Sequence, residues 1–154
     1  MIKINDEIPK FEILTDTGDF KISNYKGKKI VVFFFPRADT SGCTAESIAF
    51  TNLQHEFDRL DCIVIGISKD NPKKQGKFRE KYNLTCELGA DFENDVCEQF
   101  GVWVEKSMYG KKYMGIQRST FLSNEQGIIT NVWEKVKVPG HAEEVLETVK
   151  SLNN

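Results

Sequence analysis

No stretch of this chain is apolar for long enough to cross a membrane, and its N-terminus, MIKINDEIPKF, lacks the apolar core of a signal peptide. Neither membrane association nor export is expected, and a cytoplasmic location is. There is little charge imbalance: 21 Lys and Arg stand against 23 Asp and Glu, for a formal net charge of -2. The lysine-rich pieces KGKK and NPKKQGK form no continuous basic stripe, which argues against a nucleic-acid partner. Internal repeats, low-complexity tracts and linker-like segments are all missing. The 154 residues are therefore read as one domain, 1–154, large enough to bury a core without metal or disulfide staples.

Cysteine and histidine are sparse, with four of one and two of the other. Cys43, Cys62, Cys86 and Cys97 form no C-x-x-C pair, and His55 and His141 are not spaced to join them around zinc. No metal and no cofactor are expected. A dithiol reductase of the thioredoxin type is also disfavoured, because Thr40 stands three residues before Cys43 and Glu46 three after it. In a reducing compartment the four thiols should be free unless redox chemistry is their purpose.

What the chain does have is a pattern of buried runs. FEILTDTGDFKI reads as a hairpin around an Asp/Thr/Gly turn. IVVFFF and CIVIGI are continuous apolar runs of the kind that form strands covered on both faces. Between them Ala49, Leu53, Phe57 and Leu60 recur at helical spacing, so a helix connects two parallel strands by a right-handed crossover. Asp70 and Asn71 are cap candidates for a helix carrying Pro72, Phe78 and Tyr82. LTCEL alternates like a short strand, and Val96 and Phe100 mark a short helix. RSTFL and IITNVW flank a turn as a second hairpin. Ala142, Val145, Leu146, Val149 and Leu152 make a last amphipathic helix, with Glu143 and Glu144 at its positive end and Lys150 at its negative end. The order predicts an α/β, thioredoxin-like fold: a mixed central sheet flanked by helices, with an extra N-terminal β-hairpin.

In open α/β sheets, sites form beyond the carboxyl ends of parallel strands. FFFPRADTSGCTAES is such a place. Pro36 ends the strand, Asp39, Thr40 and Ser41 supply capping oxygens, Gly42 gives freedom, and Cys43 falls at the first helical turn. Unpaired N–H groups and the positive helix end there favour a thiolate. The Thr40 hydroxyl can reach the same sulfur. A buried, inert Cys43 is the bland alternative; the Pro, Thr and Gly clustered after a buried strand favour the reactive one.

These residues also carry a resemblance. Pro36, Thr40 and Cys43 match the P-x-x-x-T-x-x-C pattern of peroxiredoxins, and DTSGCTAE is most similar to the bacterioferritin comigratory protein (peroxiredoxin Q) subfamily. MYGKKYMGIQRSTFL resembles the segment of that subfamily bearing its active-site arginine, here Arg118, and VKVPGHAEEVLETV resembles its C-terminal end. The likeness implies thiol-dependent reduction of hydrogen peroxide and organic hydroperoxides. Cys43 would be the peroxidatic nucleophile, Thr40 would hydrogen-bond the peroxide, Pro36 would shield the site, and Arg118 would stabilise the thiolate and the breaking O–O bond. Glu46, one turn along the helix, is a candidate to orient Arg118 or an ordinary exposed helix residue. Thioredoxin or another thiol is the implied reductant, and a monomer the implied state.

Many members of that subfamily carry a resolving cysteine five residues after the nucleophile, where this chain has Ile48. Cys62 and Cys86 read as core residues. Cys97, expected near the surface in its short helix, is the first candidate for the resolving step, with Cys86 or no internal partner as alternatives. A peroxide sensor using the same cysteine is the competing function. His141 is expected to be a cap or surface group, and Met108 and Tyr109 to edge the substrate entrance.

Overall fold

The computed structural model describes residues 1–152. Nine strands and five α-helices follow in the order β1 (Glu12–Thr15), β2 (Gly18–Lys21), β3 (Lys29–Phe34), α1 (Ser41–Asn52), α2 (Gln54–Arg59), β4 (Cys62–Ser68), α3 (Pro72–Tyr82) and β5 (Glu87–Ala90). Then come α4 (Val96–Phe100), β6 (Trp103–Met108), β7 (Lys111–Ile116), β8 (Ser119–Ser123), β9 (Ile129–Trp133) and α5 (His141–Ser151). Seven strands form one mixed sheet in the order β2-β1-β5-β4-β3-β8-β9, while β6 and β7 pair only with each other. Both hairpins read from the sequence are present, β1–β2 at the N-terminal edge and β8–β9 at the other.

The all-apolar run of β3 is explained by its central place, parallel to β4 on one side and antiparallel to β8 on the other. Its residues alternate between two cores. Ile30, Val32 and Phe34 face the layer containing α4, and Val31, Phe33 and Phe35 face the layer built from α1, α2, α3 and α5. Gly66 lies opposite Phe33 in the β3–β4 register, and a side chain there would run into the Phe33 ring. That ring stacks on Phe50 of α1 with centroids 4.5 Å apart. A glycine in β4 thus lets β3 hold the helix that bears Cys43.

Three local readings are revised. The crossover helix is not continuous: Leu53 N–H donates to the Phe50 carbonyl, a tightened turn, and the Leu53 carbonyl restarts the ladder as α2. The strand expected at LTCEL begins only at Glu87, because the Thr85 N–H is taken by Thr51 Oγ1 of α1 at 3.1 Å instead of by a neighbouring strand. The β6–β7 hairpin was not foreseen. Its turn, Tyr109-Gly110, has φ of 52° and 79°, the doubly positive geometry of a tight hairpin that matches strand twist. Asn71 does cap α3, its side chain accepting from Lys74 N–H at 2.9 Å. Among the described residues no helix is long and apolar enough to cross a membrane.

Candidate active site

The loop from Pro36 to Thr40 leaves the carboxyl end of β3 and is tied down from the neighbouring crossover. Asp70 Oδ2 accepts from the Ala38 N–H at 2.7 Å and from the Ser68 hydroxyl at 2.6 Å. Asp70, read as a helix cap, is therefore a loop anchor. Asp39 adopts φ 65°, and its carboxylate accepts from the Tyr82 hydroxyl at 2.6 Å and Lys81 at 2.9 Å. These two bonds, Tyr82 first, hold its pKa below the usual carboxylate value.

Helix α1 starts with Thr40 at its N-cap and no side-chain cap. The expectation that Asp39 and Thr40 would cap it fails for a visible reason: Asp39 is turned to α3, and the Thr40 hydroxyl donates back to the Arg37 carbonyl at 3.1 Å. That hydroxyl is not bonded to the sulfur either. The first-turn N–H groups are left without a side-chain partner, as an anion at this point would require.

Cys43 is fully buried, on the face of α1 that packs on Phe33 and Phe35. Its Sγ accepts from Arg118 Nη2 at 3.2 Å, and Arg118 Nη1 donates to Glu46 Oε1 at 2.7 Å. One guanidinium thus joins two residues one turn apart on α1. Arg118 reaches them because Ser119, the next residue, pairs with Phe34 at the end of β3, and because the Arg118 carbonyl accepts from Val136 N–H at 2.9 Å. Gly42 is the third requirement: a Cβ there would stand 3.2 Å from Nη2.

Glu46 is 1% exposed, not the exposed helix residue of the plain alternative, and its Oε2 has no partner. Burial pushes its pKa up to about 7, against the opposing pull of Arg118. Burial also works against the Arg118 charge, but Glu46 and then Cys43 outweigh it and raise the Arg118 pKa. Lys106 of β6 is a further cation at this site. Burial first, then the charge of Arg118, lowers its pKa, and Cys43 opposes both. Its stem lies over Gly115 of β7, where a Cβ would meet Lys106 Cδ at 3.1 Å.

The chain matches the AhpC/TSA family over residues 4–132. It is 44% identical to the peroxiredoxin Bcp of Bacillus subtilis over 153 residues, covering 99% of this chain and 98% of the relative. A putative peroxiredoxin of Coxiella burnetii is also 44% identical, over 94% of this chain and 97% of its own length. The chain belongs to the AhpC/TSA family of peroxiredoxins. Solved structures agree on the thioredoxin-like fold. The bacterioferritin comigratory protein of Xanthomonas campestris, described for its alkyl peroxide reduction activity, superposes with TM-score 0.91 at 33% identity, over 99% of this chain and 100% of that one. A peroxiredoxin Q variant of Xylella fastidiosa superposes with TM-score 0.94 at 32% identity, over 100% and 99%. As a peroxiredoxin of the Bcp and peroxiredoxin Q kind, the chain is a thiol-dependent peroxidase.

The other cysteines of this peroxiredoxin lie away from Cys43. Cys97, expected near the surface, is fully buried, because the pattern of α4 turns Val96, Cys97 and Phe100 inward together. It packs in the core on the opposite side of the sheet from Cys43. Burial, then Asp91, pushes its thiol far up. Cys62 pairs with Lys29 at the start of β3, a strand length of roughly 16 Å from the end where Cys43 sits. Cys86 adjoins Thr51, about 12 Å along α1 from Cys43 at 1.5 Å per residue. Burial holds both thiols up at about 12.

One further residue differs from its sequence reading. His141 is 6% exposed; its Nε2 and the Thr120 hydroxyl are 2.8 Å apart, and its ring meets Phe50 and Trp133 edge-on. Burial lowers its pKa. It is a core histidine, which the start of a helix facing the sheet makes possible. Pro36 is exposed, whereas Met108 and Tyr109 form the open tip of the β6–β7 hairpin. Gly42 and Asp70 were read for other roles, as a flexible position and a helix cap, and Lys106 was not read at all, since each matters through a partner distant in sequence.

Proposed function

We propose that this peroxiredoxin reduces hydrogen peroxide and organic hydroperoxides through a sulfenic acid on Cys43, and that an external thiol, thioredoxin or a similar donor, completes the cycle. The carrying observation is the single guanidinium of Arg118 bonded to both Cys43 Sγ and Glu46. A thiolate at Cys43 attacks one peroxide oxygen; the S–O bond forms, the O–O bond breaks, and the other oxygen leaves as hydroxide or alkoxide. Arg118 and the uncapped N–H groups of α1 supply fixed charge and dipoles beside a fully buried sulfur, where they stabilise that developing anion. Arg suits the role because its charge is permanent and its donors form a rigid fork. Thr40, on rotation away from the Arg37 carbonyl, offers its hydroxyl to the peroxide, and Pro36 shields the approach.

The resolving step supports an external partner. A disulfide needs Cα atoms within about 7 Å. Cys62 and Cys86 lie well beyond that along β3 and α1, and Cys97 lies across the sheet. The product on Cys43 is then a sulfenic acid that a second molecule's thiol converts to a mixed disulfide and a further thiol reduces. The protein acts as a monomer in the cytoplasm. The test is one equivalent of hydrogen peroxide added to the fully reduced protein, followed by peptide mass mapping with a sulfenic-acid trap. The trap should label Cys43, with no bridge to Cys62, Cys86 or Cys97; a Cys43 that stays reduced while peroxide persists overturns the reading.

A further inference from the structure

Cys43, Arg118 and Glu46 are enclosed together: the first is fully buried, the Glu46 side chain is 1% exposed and that of Arg118 is 17% exposed. A carboxylate and a thiolate flank one guanidinium. Two anions around one cation leave a net negative charge away from water, whereas one anion around it leaves a neutral pair. Among the described residues Arg118 is the one cation bonded to either anion; Lys106 makes no hydrogen bond or ion pair with them. The charged and titratable groups facing this triad are Lys106 from β6, which senses Arg118 and Cys43, and His141 from α5, which senses Arg118 and also Glu144 and Glu143. Nor does a hydrogen bond stabilise the second carboxylate oxygen, since Glu46 Oε2 is buried with no partner. An ionised carboxylate with one oxygen orphaned is costly; a protonated one needs to satisfy far less charge.

We propose that Arg118 neutralises one anion at a time, so that Glu46 takes up a proton when Cys43 becomes a thiolate and releases it when Cys43 is oxidised. This rests on the reading of Cys43 as the nucleophile and adds a positioning role for Glu46 that simple orientation of Arg118 does not include. The balance closes. In the resting site Cys43 is S⁻, Glu46 is COOH and Arg118 is positive. Attack forms the S–O bond and breaks the O–O bond; Cys43 becomes neutral SOH and the leaving oxide takes up one proton. With the thiolate gone, Arg118 draws Glu46 into its carboxylate form, and the proton lost by Glu46 equals the one taken by the oxide. The site ends neutral as it began, and turnover exchanges no net proton with solvent. A pKa for Glu46 near 7 is consistent with a proton that moves at working pH. The two ionisations are linked, so they titrate as a pair rather than as separate groups.

Two measurements test this. In the first, Cys43 alkylation or peroxide consumption is followed against pH for the wild type and Glu46→Gln, which keeps an oxygen to accept from Arg118 but carries no charge. Beside the thiolate Glu46 is already the neutral acid that Gln imitates, so the two profiles should overlay within about half a pH unit. A variant profile lower by about one unit or more would mean that both anions flank Arg118 and overturns the proposal. In the second, which needs Glu46 intact, the infrared band of a buried carboxylic acid is titrated in the wild type and in Cys43→Ser. The band should vanish at lower pH in the serine variant, where no thiolate competes for Arg118; equal titrations overturn the proposal. Mass mapping of peroxide-treated protein separates these outcomes from a failure of the Cys43 reading, because that failure leaves Cys43 unoxidised in both.

Discussion

A methyl group on Gly42 would stand 3.2 Å from Arg118 Nη2, the atom that donates to Cys43. The helix thus omits a side chain at the one position where the guanidinium passes over it. Gly42→Ala should move Nη2 by a few tenths of an ångström and slow Cys43 oxidation roughly tenfold, since small misplacements of a fixed group cost large factors in rate. Stability should be unchanged or slightly higher, because alanine is the better helix former. Stopped-flow oxidation beside thermal unfolding checks both; an unaltered rate would mean that Arg118 need not sit where it does.

Arg118→Met should reduce the single-turnover rate with hydrogen peroxide by about two to three orders of magnitude, the usual cost of losing a fixed donor to a developing anion. Arg118→Lys should recover little, because an ammonium cannot serve Cys43 and Glu46 from two nitrogens of one plane. Both variants should remain folded, since Glu46 can lose its charge by protonation.

Glu46 should leave a mark on stability. Its pKa rises from about 4.5 when unfolded to about 7 when folded, so over that interval the folded state binds more protons. Its contribution is therefore full below about pH 4.5 and declines as pH rises to about 7, with a slope of at most about 1.4 kcal/mol per pH unit. Urea unfolding of the wild type and Glu46→Gln across this interval measures the difference, which should shift in the variant's favour as pH increases. A difference independent of pH would refute the raised pKa.

Serine at Cys62, Cys86 or Cys97 should leave the rate of Cys43 oxidation within about twofold and leave turnover with an external thiol intact, because the three lie away from Cys43 and share no partner with it, so their effects stay independent of the site. Cys43→Ser should abolish both. Loss of turnover in one of the first three, with oxidation preserved, would identify an internal resolving thiol reached by opening of α1.

Gly66→Ala should destabilise the fold by about 1–3 kcal/mol, since the added methyl meets the Phe33 ring in a packed core. Chemical unfolding reads this directly. Because Phe33 stacks on Phe50 of α1, the variant should also slow Cys43 oxidation.

Local pattern was enough for most of the fold. The apolar runs of β3 and β4, the Asp/Thr/Gly turn of β1–β2, the Asn71 cap and the apolar stripe of α5 each state their structure within a few residues. Where a distant partner decides, local pattern failed. LTCEL alternates like a strand, yet Thr51 claims the Thr85 N–H. The turn at Tyr109-Gly110 went unread, and the hairpin it closes stands apart from the main sheet.

The candidate site divides along the same line. The run from Pro36 to Cys43 is contiguous, so the sequence alone determined that a cysteine opens a helix at the carboxyl end of a buried strand, the place where a thiolate is favoured. Charge cannot be read that way. The sequence left Glu46 between a partner for Arg118 and an exposed helix carboxylate, and only the arrival of Arg118 from the start of β8, shared with Cys43, decides it. Whether Cys97 was open to a partner, whether His141 faced water, and where Thr40 and Asp39 spent their hydrogen bonds were likewise settled by tertiary packing. Burial and ion pairing depend on which segments meet, and only the folded sheet brings these together.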